Sequence, residues 1–551
     1  MSESIHGSVG TRAAPFSRLV APRRWPFDDD ALFALTQLMD RPDDVGDGPD
    51  AEENLFVPAG YTYLGQFVDH DLTLDTTSNL KPDQPSTPTN LRTAAFDLDC
   101  VYGDGPSSQP YLYLGDGATL RTGKTIDDPS QPDLLRNTDA NGQIDPAGRA
   151  IIGDKRNDEN SIVSQIQLAF IRFHNQVVAE LKQRTPALDG GALFAAARQE
   201  VTWTYQRMLL EDFLPRIVAA DVRGPFVADW AERGDAAYRL FVPELRDRMP
   251  IEFAGAAYRF GHSMVRVGYR LNAQTALPVF NFAGESKDSL TGFQPLPANH
   301  VIDDWGRFFP APDQKALWPG VAVPVNEGAP QVKLKDGGRT GVRLQFAYKI
   351  DPNLTGPLGN LPARISGFDG STPRRIPGDQ GPALSLLNLR RGNVFQLASG
   401  QSVAAALGNA GGDLHVADLK VRVPAPKPRD ALWTFVDVPE PLRQSTPLWL
   451  YVLAESQRKI VRKWLGAPHH GKPVEEGFFL SGEGAHTQLG PVGGRIVLET
   501  FYGLLDADDR SVLRAAPSSW KPLVMEKKAG PLTFSRILAW TGVVISDGFG
   551  A

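Results

Sequence analysis

The string Gly65-Gln66-Phe67-Val68-Asp69-His70-Asp71 constrains this chain more tightly than any other stretch of it. It sets one histidine, two carboxylates and a carboxamide inside an apolar-flanked run over residues 61–74. Read as a helix, the run places Gln66, Asp69 and His70 on one face, at i, i+3 and i+4. Asp71 then turns about 100° away from that face. One face can serve a reaction pocket while Asp71 serves a neighbouring site. Burying such groups without partners costs roughly several kcal/mol, so the fold must bring partners from elsewhere in the chain.

Composition narrows the class. With 551 residues, 42% hydrophobic and 22% charged, the chain is composed like a soluble globular protein. Length alone would suggest about two or three domains. No run of roughly 18 apolar residues is present, so no transmembrane segment is expected. A net charge of −7 disfavours a nucleic-acid partner. Cys100 is the only cysteine, which rules out an intramolecular disulfide and favours a reducing compartment, although exported bacterial proteins can also lack disulfides. Residues 1–27 are rich in Ser, Gly and Pro, and Arg23-Arg24 runs into Trp25-Pro26-Phe27-Asp28 rather than into an apolar core. No signal peptide is expected, which leaves localisation open between the cytoplasm and export by a signal-less route.

The 45 prolines and 53 glycines are spread along the chain, so helices joined by long irregular loops are expected, with loops at 76–92, 104–150 and 272–300. Apolar periodicity predicts a helix over 161–181, capped by Asn160 or Ser161, and another over 199–214, ending at Pro215. Further helices are expected over 252–271, with His262 near the middle, and over 448–465 and 494–505. Strand signals are few and short, at 332–334 and 344–348. The expected fold class is mainly α: one large helical domain over 31–545 with long irregular loops, preceded by a flexible extension over 1–30.

Four other segments carry chemistry-bearing residues in a set order. They are Thr93-Ala94-Ala95-Phe96-Asp97-Leu98-Asp99 with Val101-Tyr102-Gly103, then Gly153-Asp154-Lys155-Arg156-Asn157-Asp158-Glu159, then Tyr258-Arg259-Phe260-Gly261-His262-Ser263, then Leu387-Asn388-Leu389-Arg390-Arg391-Gly392. Together with the Gly65–Asp71 string they resemble the animal-type haem peroxidases of the peroxidase–cyclooxygenase superfamily, in a bacterial-type member. The likeness covers roughly 60–500, with Gly490-Pro491-Val492-Gly493-Gly494-Arg495 also similar; each segment alone is weak, and their common order carries the match.

The resemblance implies an oxidoreductase with haem b. His70 would act as base and then acid on hydrogen peroxide, Arg156 would stabilise the charge that develops, and Gln66 would orient water or a halide. His262 would ligate the haem iron, Arg259 would pair with a propionate, Asn388 would accept the ring N–H of His262, and Arg391 would lie near the haem edge. Asp69 and Glu159 would be candidate ester anchors; Asn160 stands where one subgroup has a sulfonium-forming methionine, so that link is excluded. Asp71, Thr93, the Ala95 carbonyl, Asp97 and Asp99 would bind calcium, an oxygen-only set suited to a hard cation. Asp99 replaces a serine and Ala95 an aromatic residue, and the added charge should tighten the site. The implied activity is oxidation of halide, thiocyanate or phenolic and aromatic donors through a ferryl intermediate, with a role in the response to oxidative stress.

Two other readings stand beside it. A fatty-acid dioxygenase of the same superfamily would carry a tyrosine three residues before the proximal histidine, where this chain has Arg259; Tyr258 is one place off and rotated by about 100°. A non-catalytic binding or adhesion protein would be free to lose His70, Arg156 and Gln66, and all three are kept. His174 is expected to be a structural hydrogen-bonding residue and His469-His470 a solvated pair.

Overall fold

In the computed structural model, the described residues are 14–40, 52–75, 88–280, 289–313, 344–359, 361, 383–425, 432–526 and 528–546. Helices dominate, and the strands among these residues form only small sheets, four of two strands and one of three. The mainly α class is what the sequence predicted. The strand expected at 332–334 lies outside the described residues.

Helix Gly60–Leu72 is packed on nearly all sides, with Tyr61, Leu64, Phe67 and Val68 inside the core. Gly60 opens it because a Cβ there would sit 2.4 Å from the Phe309 ring. Phe67 stacks on Phe170 of helix Ser161–Arg184, with ring centroids 4.5 Å apart. That second helix starts where Asn160 accepts from the Ile162 and Val163 amides, an N-cap of the expected kind. Strand Glu53–Pro58 leads into Gly60–Leu72 and pairs antiparallel with Phe346–Tyr348.

Three expected helices change form. The one expected over 199–214 begins at Gly190 and runs to Met208, then passes through a π turn, Leu209–Phe213, into Leu214–Ile217. Pro215 lies in the first turn of that last piece, where a missing N–H is tolerated, so it does not stop the chain. The segment expected as one helix over 252–271 is a short helix, Ile251–Gly255, a tight 3-10 stretch, Ala257–His262, and a strand, Gly268–Arg270. Glycines explain the breaks, since each weakens a helix by roughly 1 kcal/mol. A Cβ on Gly255 would meet the Phe395 ring at 2.9 Å, and one on Gly268 would meet the Leu277 carbonyl of the paired strand at 2.7 Å. The run over 448–465 is broken at Gln457, giving Leu448–Ser456 and Arg458–Leu465, with the Gln457 amide donating to Lys420 O at 2.7 Å.

Other elements carried no strong sequence signal: helices Asp29–Met39, Ala220–Arg233, Leu384–Val394 and Gly400–Leu407, and the sheet of Lys420–Pro424, Leu432–Asp437 and Val474–Glu475. Helix Pro491–Ala507, longer than the expected 494–505, is almost wholly buried. Residues 14–30 of the expected extension lie against the helical body: Ala14–Pro15 pairs with Thr89–Asn90, Phe27 exchanges backbone bonds with the Asn393 side chain, and Asp29 pairs with Arg390 at 2.8 Å. No helix of the described residues is long and apolar enough to cross a membrane.

Candidate active site

His70 projects from Gly60–Leu72, and its ring is held in one tautomer by a chain of amides. The Cys100 carbonyl can only accept, so it takes the Gln167 Nε2 proton at 3.2 Å. Gln167 Oε1 then accepts from Asn157 Nδ2 at 2.8 Å, which leaves Asn157 Oδ1 facing His70 Nδ1 at 2.7 Å. An oxygen there requires the proton on Nδ1, so Nε2 keeps its lone pair. Burial, helped by the Arg156 charge, lowers the His70 pKa to about 4, so the ring is neutral over the physiological range.

Around it lies a dense polar frame. Arg156 sits on the turn Lys155–Asp158, and its own backbone amide is capped by Asp154. Its Nη2 donates to Asp154 Oδ2 at 2.7 Å and to the His70 carbonyl at 3.1 Å. Burial works against the charge on Asp154, but Arg156, His70 and Arg92 outweigh it and hold the carboxyl well below its usual range. Gln66 donates to Glu159, and Asn160 Nδ2 donates back to Gln66 Oε1 at 3.1 Å. Burial raises the Glu159 carboxyl to about 7. Asp69 accepts from the Thr73 hydroxyl at 2.9 Å.

The opposite wall is sparsely partnered. His262 ends the stretch Ala257–His262, and Arg259 on the same turn donates Nε to Ala254 O at 2.9 Å. Trp449 Nε1 donates to the Arg259 carbonyl at 3.1 Å, tying this turn to Leu448–Ser456. Asn388 comes from Leu384–Val394, its Nδ2 lying 2.7 Å from His262 Nδ1. This polarity corrects the expected one. Arg391 Nη1, which can only donate, takes Asn388 Oδ1 at 3.3 Å, so the amide offers its N–H to the ring. Burial, with the charges of Arg259 and Arg391, lowers His262 to about 3. Burial also lowers both guanidinium pKa values; Arg156 adds to the effect on Arg259 and Arg259 to that on Arg391, while the carboxylates of Asp69 and Asp75 oppose it at both. Arg259 and Arg391 both feel Asp69, which puts them within electrostatic reach of the His70 helix.

Between the walls is internal space. Gln66, Asp69, Arg156, Glu159, Arg259, His262 and Arg391 are all only half-buried although they belong to the interior. A Cβ added to Gly261 or to Gly392 would meet nothing within 4 Å. The residues present fit the haem expected from the sequence: imidazoles from two separate elements, two guanidiniums without a direct carboxylate hydrogen bond, suited to propionates, and two carboxyl groups, Asp69 and Glu159. Ligation through His262 Nε2 would place a proton on Nδ1, for which the Asn388 amide would have to present its oxygen instead.

Asp71, rotated off the His70 face, is fully buried and neither carboxylate oxygen has a hydrogen bond. One ligand atom each from Asp71, Asp97 and Asp99 lie within 4.8 Å of one another. Burial first, then the charges of Asp97 and Asp99, raises the Asp71 carboxyl well above its usual value. A hard cation would supply the missing partner. Thr93 Oγ1 donates to Asp97 Oδ2 at 3.2 Å, which brings Thr93 to this cluster. Ala95 lies in the same loop, between Thr93 and Asp97. Arg92 was missed by sequence reasoning: it pairs with Asp99 at 2.9 Å and also with Asp154, so the extra charge of Asp99 is partly neutralised and joins the cation site to Arg156. Asn157 and Gln167 were also missed; only the position of Asn157 inside the Gly153–Glu159 segment hinted at a role. His174 has the structural bonds expected of it, 3.1 Å to Tyr102 Oη and 2.9 Å to Ala118 O.

Residues 66–288 match the family model described as animal haem peroxidase. Dual oxidase 1 of Canis lupus familiaris is 28% identical over 205 residues, 36% of this chain and 12% of that protein. Peroxidasin of Drosophila melanogaster is 26% identical over 227 residues, 39% of this chain and 13% of that protein. The chain therefore spans only about an eighth of the length of these relatives. The fold is similar to that of peroxidase A from Dictyostelium discoideum, with a TM-score of 0.57, 97% of this chain and 95% of that chain covered, and 14% sequence identity.

Proposed function

We propose, from the match of residues 66–288 to the animal haem peroxidase family, that this chain reduces hydrogen peroxide at the expense of small donors. The observation that carries the reading is the Cys100–Gln167–Asn157–His70 chain, which leaves His70 Nε2 as a free base beside Arg156. Haem, when bound, supplies the redox centre at which the peroxide O–O bond is cleaved and from which donors are oxidised. His262 would hold its iron, and Arg259 and Arg391 would neutralise its propionates. His70 Nε2 takes the proton of the peroxide oxygen next to it and returns it to the departing oxygen. Arg156, kept in place by Asp154, stabilises the negative charge on that oxygen. Gln66 orients water or a halide, and Asp69 and Glu159 are the carboxyls able to form ester links. Glu159, raised to about 7, is readily kept neutral, the form in which a carboxyl is least costly to bury.

Asp71, Asp97 and Asp99, with Thr93 and the Ala95 carbonyl, bind calcium in this reading. Halide, thiocyanate and phenolic or aromatic compounds are the donor classes, and 31–545 is the catalytic domain. Stopped-flow absorbance of the haem-loaded protein mixed with peroxide tests the proposal. A rapid Soret change reversed by bromide or thiocyanate supports it. No response to peroxide, or oxygen uptake with linoleate and none of the anion responses, overturns it. Calcium titration by calorimetry, with Asp71→Asn as the control, tests the cation site separately.

A further inference from the structure

We infer that the protein has a second small-molecule site, separate from the His70–His262 space, that binds a phenolic carboxylate and passes its electron inward through Trp305. The inference rests on the peroxidase reading and names a donor class for it.

The site is a cleft of about 610 Å³, which shares no lining residue with the His70–His262 space. That volume suits one small aromatic molecule. Leu168 and Arg172 line it from helix Ser161–Arg184, facing Val301, Ile302, Trp305 and Val544. The apolar side chains and the indole offer one face for a ring, and Gln131, Gln165, Asn272 and Gln274 make the rest of the lining polar. Arg172 offers the charge: its Nη2 donates to Thr541 O at 3.2 Å, and it makes no ion pair among the described residues. A guanidinium with donors to spare beside an indole and aliphatic side chains suits an aromatic carboxylate. Asp303 also lines the cleft, but Arg307 neutralises it at 3.1 Å.

Trp305 closes the inner wall and is 5% exposed. From it a line of aromatic rings runs towards the active site. Trp305 and Phe308 have centroids 6.1 Å apart, Phe308 and Tyr269 are stacked at 6.2 Å, and Tyr269 meets Tyr63 edge-on at 5.2 Å. Tyr63 lies on Gly60–Leu72, one turn before Gln66, and is close enough to Glu159 for that carboxylate to act on its hydroxyl. The line thus joins the cleft to the rim on which Gln66 and Glu159 sit.

With haem bound to supply the peroxide-driven oxidant, Trp305 would give up one electron per step through these rings. The bound phenol returns one electron to Trp305, releases its O–H proton to water in the cleft, and leaves as a phenoxyl radical. Two such steps, with two protons, account for one hydrogen peroxide reduced to two waters.

The test uses the haem-loaded protein and 4-hydroxycinnamate. Without peroxide, calorimetry should show binding that Arg172→Gln weakens about tenfold or more, while 4-methylphenol, which lacks the carboxylate, is little affected. After peroxide, freeze-quenched electron paramagnetic resonance should show an indole radical that is quenched by 4-hydroxycinnamate and absent in Trp305→Phe. Both variants should keep the haem absorbance and bromide oxidation of the parent. Binding unchanged in Arg172→Gln overturns the site, and a radical unchanged in Trp305→Phe overturns the electron path. A parent protein that never responds to peroxide defeats the peroxidase reading and the path with it, while calorimetry still decides the site.

Discussion

The two walls of the active-site space are built on different terms. On the His70 wall almost every polar atom already has a partner: His70 with Asn157, Arg156 with Asp154, Gln66 with Glu159 and Asn160. On the His262 wall two half-buried guanidiniums have a carbonyl and an amide as hydrogen-bond partners, and Asn388 is turned towards Arg391 in the polarity opposite to that which ligation would need. The first wall is preorganised for proton transfer, which gains most from groups that need not move. The second carries two cations that an added anion would relieve further than Asp69 and Asp75 do. Its order should therefore depend on the cofactor, while that of the first should not.

The largest effect expected from this contrast is that of His262→Ala, which should remove the stoichiometric Soret band on haem titration while leaving the far-ultraviolet dichroism of a helical protein. His70→Ala should instead keep the haem and slow the reaction with peroxide by about 10²–10⁴-fold in stopped flow. Equal haem loss in both variants would erase the distinction between the walls. Asn157→Leu removes the acceptor that fixes the His70 tautomer and should slow the same step by about 10–100-fold, with haem affinity unchanged. Smallest is the effect of acid. Because His70 is held near about 4, below the usual histidine value, Nε2 stays unprotonated until the pH falls through that region. The peroxide step should thus be flat from about pH 5 upwards and lose rate below it; an acid limb near the ordinary histidine value would contradict the buried, neutral ring.

Hydrogen exchange can sharpen the comparison further. Removing haem should deprotect amides in Ala257–His262 and Leu384–Val394 more than those in Gly60–Leu72, where Phe67 and Tyr61 are locked in aromatic contacts independent of the cofactor.

Much of the site was legible because local spacing does local work. An i, i+3, i+4 pattern is enough to put Gln66, Asp69 and His70 on one helix face and to turn Asp71 away from it. Asn160 as a helix cap and the mainly α class were legible for the same reason. The run through His262 was misread because apolar periodicity does not register steric limits. Gly255 and Gly268 are there for close approaches to Phe395 and to the Leu277 backbone, contacts made by residues far along the chain.

What the sequence determined by itself was which groups must be buried, and on which faces of which helices, since helical geometry is set within a few residues. Only the tertiary structure decided who satisfies them. Cys100 and Gln167 orient His70 through Asn157, Arg92 bridges Asp99 and Asp154, and Arg391 turns the Asn388 amide. A buried donor accepts any acceptor that the packing brings within about 3 Å. Neither residue type nor spacing records which one arrives.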